Sequence, residues 1–99
     1  MTGWWTQLRS MWRRPNLAGV RVTLYTRRGC HLCDDAKSFL LNEQERLSFM
    51  LDEVDIDSNA DLRERYNTCV PVIWVNDKER FRGGIQPVLW RRLVQSLGK

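Results

Sequence analysis

Two cysteines separated by two residues, Cys30 and Cys33, are the side chains best suited to chemistry in this sequence. A C-x-x-C pair can cycle between dithiol and disulfide, and in another context it supplies half of a zinc site. A structural zinc site needs four ligands, and beyond this pair the chain offers only His31 and Cys69, with no second C-x-x-C. The pattern therefore favours thiol–disulfide exchange over zinc binding.

The spacing of the two cysteines predicts a different role for each. A cysteine at a helix N-terminus is stabilised as its reactive thiolate by unpaired backbone N–H groups and the helix dipole, and we expect Cys30 there. Cys33 follows three residues later, on the same helical face and within disulfide reach. We therefore expect Cys30 to attack a substrate and Cys33 to resolve the mixed disulfide. His31 could favour the thiolate through its charge or be an exposed turn residue.

The elements before and after the cysteines are a strand and a helix. The β-branched and aromatic run of residues 21–26 (RVTLYT) predicts a strand, and Gly29 marks a turn after it. Leu32, Ala36, Phe39 and Leu40 then form one apolar stripe with helical spacing. The stripe predicts a helix from about residue 30 to residue 44, with both cysteines at its start.

The rest of the chain predicts a mixed sheet. We expect a strand within residues 48–56, a short helix behind a capping box of Ser58 and Asp61, a strand over 70–75, a turn at 76–78, an antiparallel strand at 80–82 and a helix over 87–97. Strand–helix–strand units imply parallel pairing, whereas the short turn imposes an antiparallel hairpin. The prediction is a four-stranded mixed sheet with helices on both faces.

Length and charge indicate one domain with a basic arm. The 99 residues suffice for one modest core, and we divide them into an N-terminal arm, 1–19, and a domain, 20–99. Apolar residues at helical spacing and three arginines make the arm amphipathic and basic: Trp4, Trp5, Leu8, Met11 and Trp12 with Arg9, Arg13 and Arg14. The arm supplies most of the formal net charge of +4, so we expect no nucleic-acid binding by the domain. Its apolar face is expected to contact the domain or a partner, with a membrane surface as the less favoured alternative.

Cysteine usage and hydropathy bear on the compartment. Three cysteines, an odd number, do not form a multi-bridge disulfide scaffold, and the sequence has no apolar run long enough to cross a membrane. We expect a cytoplasmic monomer.

Three separated segments carry a resemblance to a known family. They are residues 25–33 (YTRRGCHLC), Val70-Pro71-Val72 and Gly83-Gly84. Over residues 21–97 the chain resembles the glutaredoxin family, most closely bacterial and plant-type members with a C-x-L-C site followed by an acid. The resemblance implies a thioredoxin-like three-layer α/β sandwich that reduces protein disulfides or glutathione mixed disulfides. It also implies glutathione, another thiol or a reductase as the electron donor, with no permanently bound cofactor or metal.

The resemblance also implies a substrate groove. Its residues would be Arg27, His31, Cys69, Val70, Pro71, Gly83 and Gly84. Arg27 would contact a glutathione carboxylate, a cis peptide would precede Pro71, and the double glycine would allow close backbone approach. The alternatives are a solvated surface arginine at Arg27 and a small buried apolar residue at Cys69, where the family usually has threonine.

Two departures from the family leave other functions open. His31-Leu32 stands where most members have Pro-Tyr or a close relative, and Ile85-Gln86 stands where glutathione-binding members have a small residue and an aspartate. One glutathione anchor is therefore missing. The alternatives are a glutathione-assisted iron–sulfur or metal carrier that uses Cys30, and a redox adaptor docked to a membrane or partner through the arm.

Overall fold

The computed structural model of the protein describes residues 16–98. Its elements are β1 (Arg21–Thr26), α1 (His31–Leu47), β2 (Met50–Asp55), a 3-10 turn (Ile56–Ser58), α2 (Ala60–Tyr66), β3 (Val72–Val75), β4 (Lys78–Arg82) and α3 (Pro87–Leu97). The predicted order of strands and helices is confirmed. Residues 1–15, which contain the predicted amphipathic face of the arm, lie outside the described residues.

The four strands form one mixed sheet in the order β2-β1-β3-β4. β1 and β2 are parallel because the α1 crossover returns the chain to the end of the sheet at which β1 began. β3 runs antiparallel to both β1 and β4, and a tight turn with Asn76 at a φ of 55° joins β3 to β4. The predicted mixed topology is confirmed.

Apolar side chains cover both faces of the sheet. Alternate residues of a strand point to opposite faces, and β3 shows this in its neighbours Val72 and Ile73, which belong to different clusters. The larger cluster joins the sheet to α1 and α3. The smaller one is built on Ile56, Tyr66 and Val72, so that α2 covers the second face. These two layers of helices around one sheet give the three-layer sandwich.

Helix α1 ends three residues later than the sequence pattern predicts. Leu47 is fully buried, and Ser48 ends the helix in the left-handed region, with its N–H donating to the carbonyl of Gln44. The Leu17 N–H donates to the Leu47 carbonyl at 2.8 Å, and the Leu17 side chain packs in the larger cluster. Packing of the domain thus includes a residue that the sequence analysis assigned to the arm.

The N-cap of α2 differs from the prediction. The capping box at Ser58 and Asp61 is wrong, because the Asn59 side chain accepts from the N–H groups of Asp61 and Leu62, at 2.8 and 3.2 Å. The Ser58 hydroxyl instead donates to the Asp55 carbonyl at 2.6 Å. Asparagine and serine are both good N-caps, so the local sequence does not decide between adjacent candidates.

Candidate active site

The cysteine pair lies where β1 passes into α1. Cys30 is the N-cap of α1, with extended backbone angles, and Cys33 lies in the first helical turn. Their sulfurs form a disulfide, with the Cα atoms 5.1 Å apart. The Cys33 N–H also donates to the Cys30 Sγ at 3.1 Å, so the helix terminus gives this sulfur a hydrogen-bond donor. An N–H at a helix terminus that is aimed at Sγ stabilises a negative charge there.

The two sulfurs differ in access to solvent. Cys33 is fully buried, whereas Cys30 is half-buried. An incoming disulfide or thiol can therefore approach Cys30 but cannot approach Cys33 directly. This difference divides the pair into an outer and an inner sulfur.

The sheet brings three segments that are distant in sequence to one end of its strands. In the register, Tyr25 near the end of β1 faces Val72 at the start of β3, and Val72 faces Arg82 at the end of β4. The loop that carries the cysteines, the segment before β3 and the segment after β4 therefore leave the sheet at the same end. These are the segments that the sequence analysis singled out.

Backbone hydrogen bonds tie the second segment to the third. The Val70-Pro71 peptide is cis, and Pro71 is buried. The Gly83 N–H donates to the carbonyls of Cys69 and Pro71, at 3.1 and 2.7 Å. Gly83 and Gly84 have φ angles of 81° and 152°, which favour glycine, while a Cβ on either would meet open space. The positive φ angles therefore account for glycine at these two positions. No other atom of the described residues lies close enough to exclude a side chain there.

Arg27 is held by contacts within the chain. Its Nε and Nη2 donate to the two carboxylate oxygens of Asp57 at 3.0 and 2.9 Å, and its Nη1 donates to the carbonyl and the side-chain oxygen of Asn67 at 2.8 Å. The hydrogen bond from Arg27 lowers the pKa of Asp57, and the same bond raises the pKa of Arg27. This fork links the end of β1 to the 3-10 turn and to the end of α2.

Cys69 has a cationic neighbour that the sequence analysis missed. Arg82 Nη1 lies 3.3 Å from the half-buried Cys69 Sγ, while Nη2 and Nε bind Glu79 at 2.9 and 3.0 Å. The hydrogen bond to Glu79, with a smaller contribution from Cys69, raises the pKa of Arg82. A bulge between Ile73 and Trp74 shifts the register that places Arg82 here, and no local sequence signal predicts that shift.

The remaining candidates lie near the start of α1. His31 is its first residue and is exposed, as are Leu32, Asp34 and Asp35. The Asp34 N–H donates to the Cys30 carbonyl at 3.1 Å, which closes the first turn.

Metal-ligand clusters and membrane-spanning helices are both absent from residues 16–98. No group of three or more His, Cys, Asp and Glu side chains there is arranged to hold a metal ion. No helix in the same range combines the length and apolar character needed to span a bilayer.

Comparison with known proteins identifies a family and a similar solved structure. A family model described as a glutaredoxin-like domain (DUF836) matches residues 21–97. The solution structure of protein Ne2328 from Nitrosomonas europaea is 30% identical, with a TM-score of 0.65, and the match covers 75% of this chain and 89% of that one.

Two thioredoxins share the fold at low sequence identity. A point-mutant thioredoxin from Halobacterium salinarum is 16% identical, with a TM-score of 0.63 and coverage of 81% of this chain and 75% of that one. Oxidised mitochondrial thioredoxin 3 from Saccharomyces cerevisiae is 13% identical, with a TM-score of 0.61 and coverage of 94% and 90%. The expected thioredoxin-like fold is confirmed, and the disulfide-forming cysteine pair is consistent with a redox function.

Proposed function

Because the chain belongs to the glutaredoxin-like domain family, we propose that it is a thiol–disulfide oxidoreductase that reduces protein disulfides or glutathione mixed disulfides. The observation that carries this proposal is the disulfide between an outer Cys30, at a helix N-terminus, and a buried Cys33. A thiolate at a helix terminus is a good nucleophile, and a second thiol three residues later can complete the exchange.

The reaction proceeds in two exchange steps. The Cys30 thiolate attacks one sulfur of the substrate disulfide, a new S–S bond forms, and the other substrate sulfur leaves as a thiolate. Cys33 then loses its proton and attacks the Cys30 sulfur, which releases the second substrate thiolate and leaves the Cys30–Cys33 disulfide. Two electrons have passed to the substrate. Two glutathione molecules, another dithiol or a reductase restore the dithiol.

The other residues of the site form the surface that a substrate contacts. Cys69, Val70 and Pro71 lie at the same sheet end as the cysteine loop, and Gly83 holds this segment in place through its two hydrogen bonds. We assign His31, Cys69, Val70, Pro71, Gly83 and Gly84 to the substrate groove. Arg27 lies next to this groove, where its guanidinium binds Asp57 and Asn67. A glutathione carboxylate that contacted Arg27 would have to compete with those hydrogen bonds.

The proposal extends to partners and compartment. The partners are a disulfide-bearing protein or a glutathione mixed disulfide, together with the thiol that reduces the enzyme. We place the monomeric protein in the cytoplasm, because a C-x-x-C pair with one further cysteine suits a reducing compartment.

The dithiol mechanism is tested by trapping its intermediate. Cys33→Ser should accumulate a mixed disulfide between Cys30 and a protein disulfide substrate, because no inner thiol releases it, whereas Cys30→Ser should lose exchange. Intact mass under non-reducing conditions detects the adduct. Comparing Cys33→Ser with Cys33→Ser/Cys69→Ser shows whether Cys69 resolves the adduct slowly. Full protein-disulfide reduction by Cys33→Ser, with no adduct, contradicts the mechanism.

A further inference from the structure

A groove lies between the first turns of α1 and the segment that follows β4. Its volume is about 310 Å³, and it is lined by Leu32, Asp35, Ala36, Phe39, Gly84 and Ile85. We call it the Leu32 groove. Leu32 stands between the two cysteines in the chain, so one residue of the groove lining is the direct neighbour of Cys33 in sequence.

The lining of the Leu32 groove is mostly apolar, with Leu32, Ala36, Phe39 and Ile85 among its six residues. Leu32 is 55% exposed, although nothing in the described fold requires a large apolar side chain in solvent there. Phe39 and Ile85 also line the groove, and both are partly buried and pack against the larger core cluster. An exposed apolar side chain in such a lining gains free energy when a second apolar group covers it.

The charges around the groove select among possible occupants. Asp35 is the one charged side chain among the described residues that line it, and Asp34 is exposed in the same helical turn. Two cations at the same end of the sheet are already paired, Arg27 with Asp57 and Arg82 with Glu79. The lining of the groove therefore repels a negatively charged group, whereas it does not repel a neutral or basic one.

We propose that the Leu32 groove holds an apolar side chain adjacent to the cysteine of a protein disulfide, and that the enzyme thereby prefers such proteins to glutathione mixed disulfides. The inference rests on the proposed function. Glutathione is a small tripeptide with two carboxylates, one ammonium and no large apolar side chain. It gains little from Leu32, Phe39 and Ile85, and its carboxylates approach Asp35 without a cation in the groove lining to pair with.

The test compares three mixed disulfides that share one leaving group. Thionitrobenzoate is linked to a short neutral peptide with Leu after its cysteine, to the same peptide with Ser in place of Leu, and to glutathione. The reduced full-length protein is mixed with each in single turnover. Cys30 bonds to the peptide or glutathione sulfur while thionitrobenzoate leaves, because it is the more acidic thiol, and its absorbance reports the rate.

We expect the Leu peptide to react about tenfold faster than the Ser peptide, which is the scale of discrimination for an apolar pocket. The glutathione conjugate should react no faster than the Ser peptide. Leu32→Ser should bring the Leu-to-Ser rate ratio close to one. The matched control is Leu41→Ser, which removes a leucine of similar exposure, 46%, from the same helix outside the groove and should preserve the ratio.

The outcomes separate the inference from the proposed function. Equal rates for the two peptides, a faster glutathione conjugate, or equal loss of preference in both leucine variants would overturn the groove assignment while leaving thiol exchange intact. Release no faster than that of Cys30→Ser with all three compounds would overturn the proposed function, and the groove assignment with it.

Discussion

Chemistry at this site depends on a difference between two neighbouring sulfurs. Cys30 is half-buried and receives the Cys33 N–H, whereas Cys33 is enclosed in the protein interior. Access and thiolate stabilisation therefore favour the same cysteine as the nucleophile. Cys69 has a different environment, because Arg82 is its polar neighbour among the described residues and it follows α2 rather than preceding a helix.

The reactivity of the three thiols should follow these environments. In the reduced protein, a limiting dose of iodoacetamide at neutral pH should label Cys30 about tenfold faster than Cys33 or Cys69, because the thiolate is the reactive form. Peptide mass spectrometry measures the label at each site. The variant Arg82→Leu serves as a control, since Arg82 donates a hydrogen bond to the sulfur of Cys69, and its loss should change the labelling of Cys69 more than that of Cys30. Preferential labelling of Cys69 in the native sequence would reverse our assignment of the nucleophile.

Prediction of single residues from sequence succeeded where the signal was local. The spacing of Cys30 and Cys33 was enough to predict that they could form a disulfide, because three residues in a helix bring two side chains onto one face. The partners of Arg27 were not predicted. Asp57 and Asn67 lie 30 and 40 positions away in the chain, and only the folded topology brings them together.

At the scale of elements, the ends of helices depend on single side chains. The sequence predicted a short helix at the position of α2 but not its cap, since Ser58, Asn59 and Asp61 are all suitable cap or first-turn residues. The structure assigns the capping bonds to Asn59. Sequence periodicity thus predicts the body of a helix better than its boundary.

Removing the cap should measure its contribution. Asn59→Ala leaves the N–H groups of Asp61 and Leu62 without their acceptor, and we expect it to lower the free energy of unfolding by about 1 kcal/mol. Asn59→Asp keeps an acceptor and should retain most of the stability. Chemical denaturation followed by circular dichroism gives the values. A larger loss for Ser58→Ala than for Asn59→Ala would mean that the cap lies at Ser58 in solution.

The contact between α1 and α3 includes a carboxylate that titrates. Trp90 Nε1 donates to Glu43 Oε1 at 2.7 Å, and Arg46 pairs with the same carboxylate at 2.9 Å. Desolvation raises the pKa of Glu43, but the hydrogen bonds from Arg46 and Trp90, with the charges of Arg46 and Arg91, outweigh it. The pKa therefore lies below its ordinary value of 4.5.

This shift predicts a pH dependence of stability. A carboxylate with a lowered pKa in the folded state stabilises the fold above its unfolded value of 4.5 and loses that contribution as pH falls through the folded pKa. Glu43→Gln keeps an oxygen that can accept from Trp90 but does not titrate. We expect the variant to be less stable at neutral pH and to lose less stability on acidification below about pH 5. Parallel curves for the two proteins in urea denaturation from neutral to acidic pH would exclude Glu43 as a source of the dependence.

At the scale of the whole molecule, the sheet brings segments that are far apart in sequence together in one site. Strand order β2-β1-β3-β4 places the end of β1, the start of β3 and the end of β4 together, so segments near residues 30, 70 and 83 share an edge. The alternation of strands with helices and one short turn between two strands were enough to predict the mixed sheet. The pairing register was not predictable, because the bulge in β3 and β4 depends on packing across the sheet rather than on residues next to it in sequence.

The larger core is organised around one aromatic side chain. Trp90 is 1% exposed, and its ring contacts those of Phe39, Phe49 and Phe81 at centroid distances of 6.0, 5.7 and 6.3 Å. These rings belong to α1, to the segment before β2 and to β4. Trp90 thereby links α3 to the helix that carries the cysteines and to the sheet.

Truncating this side chain should therefore affect the entire fold rather than α3 alone. Trp90→Ala removes a buried aromatic group and its bond to Glu43, and such truncations cost about 3–5 kcal/mol. A domain of this size has a total stability of about 5–15 kcal/mol, so this single change removes a large part of it. Trp90→Phe keeps most of the ring contacts and should lose less.

Trp74→Ala is the matched control, because Trp74 is only half-buried, lies with the smaller cluster and donates to the Tyr66 hydroxyl. Urea unfolding followed by circular dichroism should give the lowest midpoint for Trp90→Ala, with one transition for the whole domain. If Trp74→Ala costs as much, or if α3 unfolds in a separate transition, Trp90 does not organise the core of the molecule.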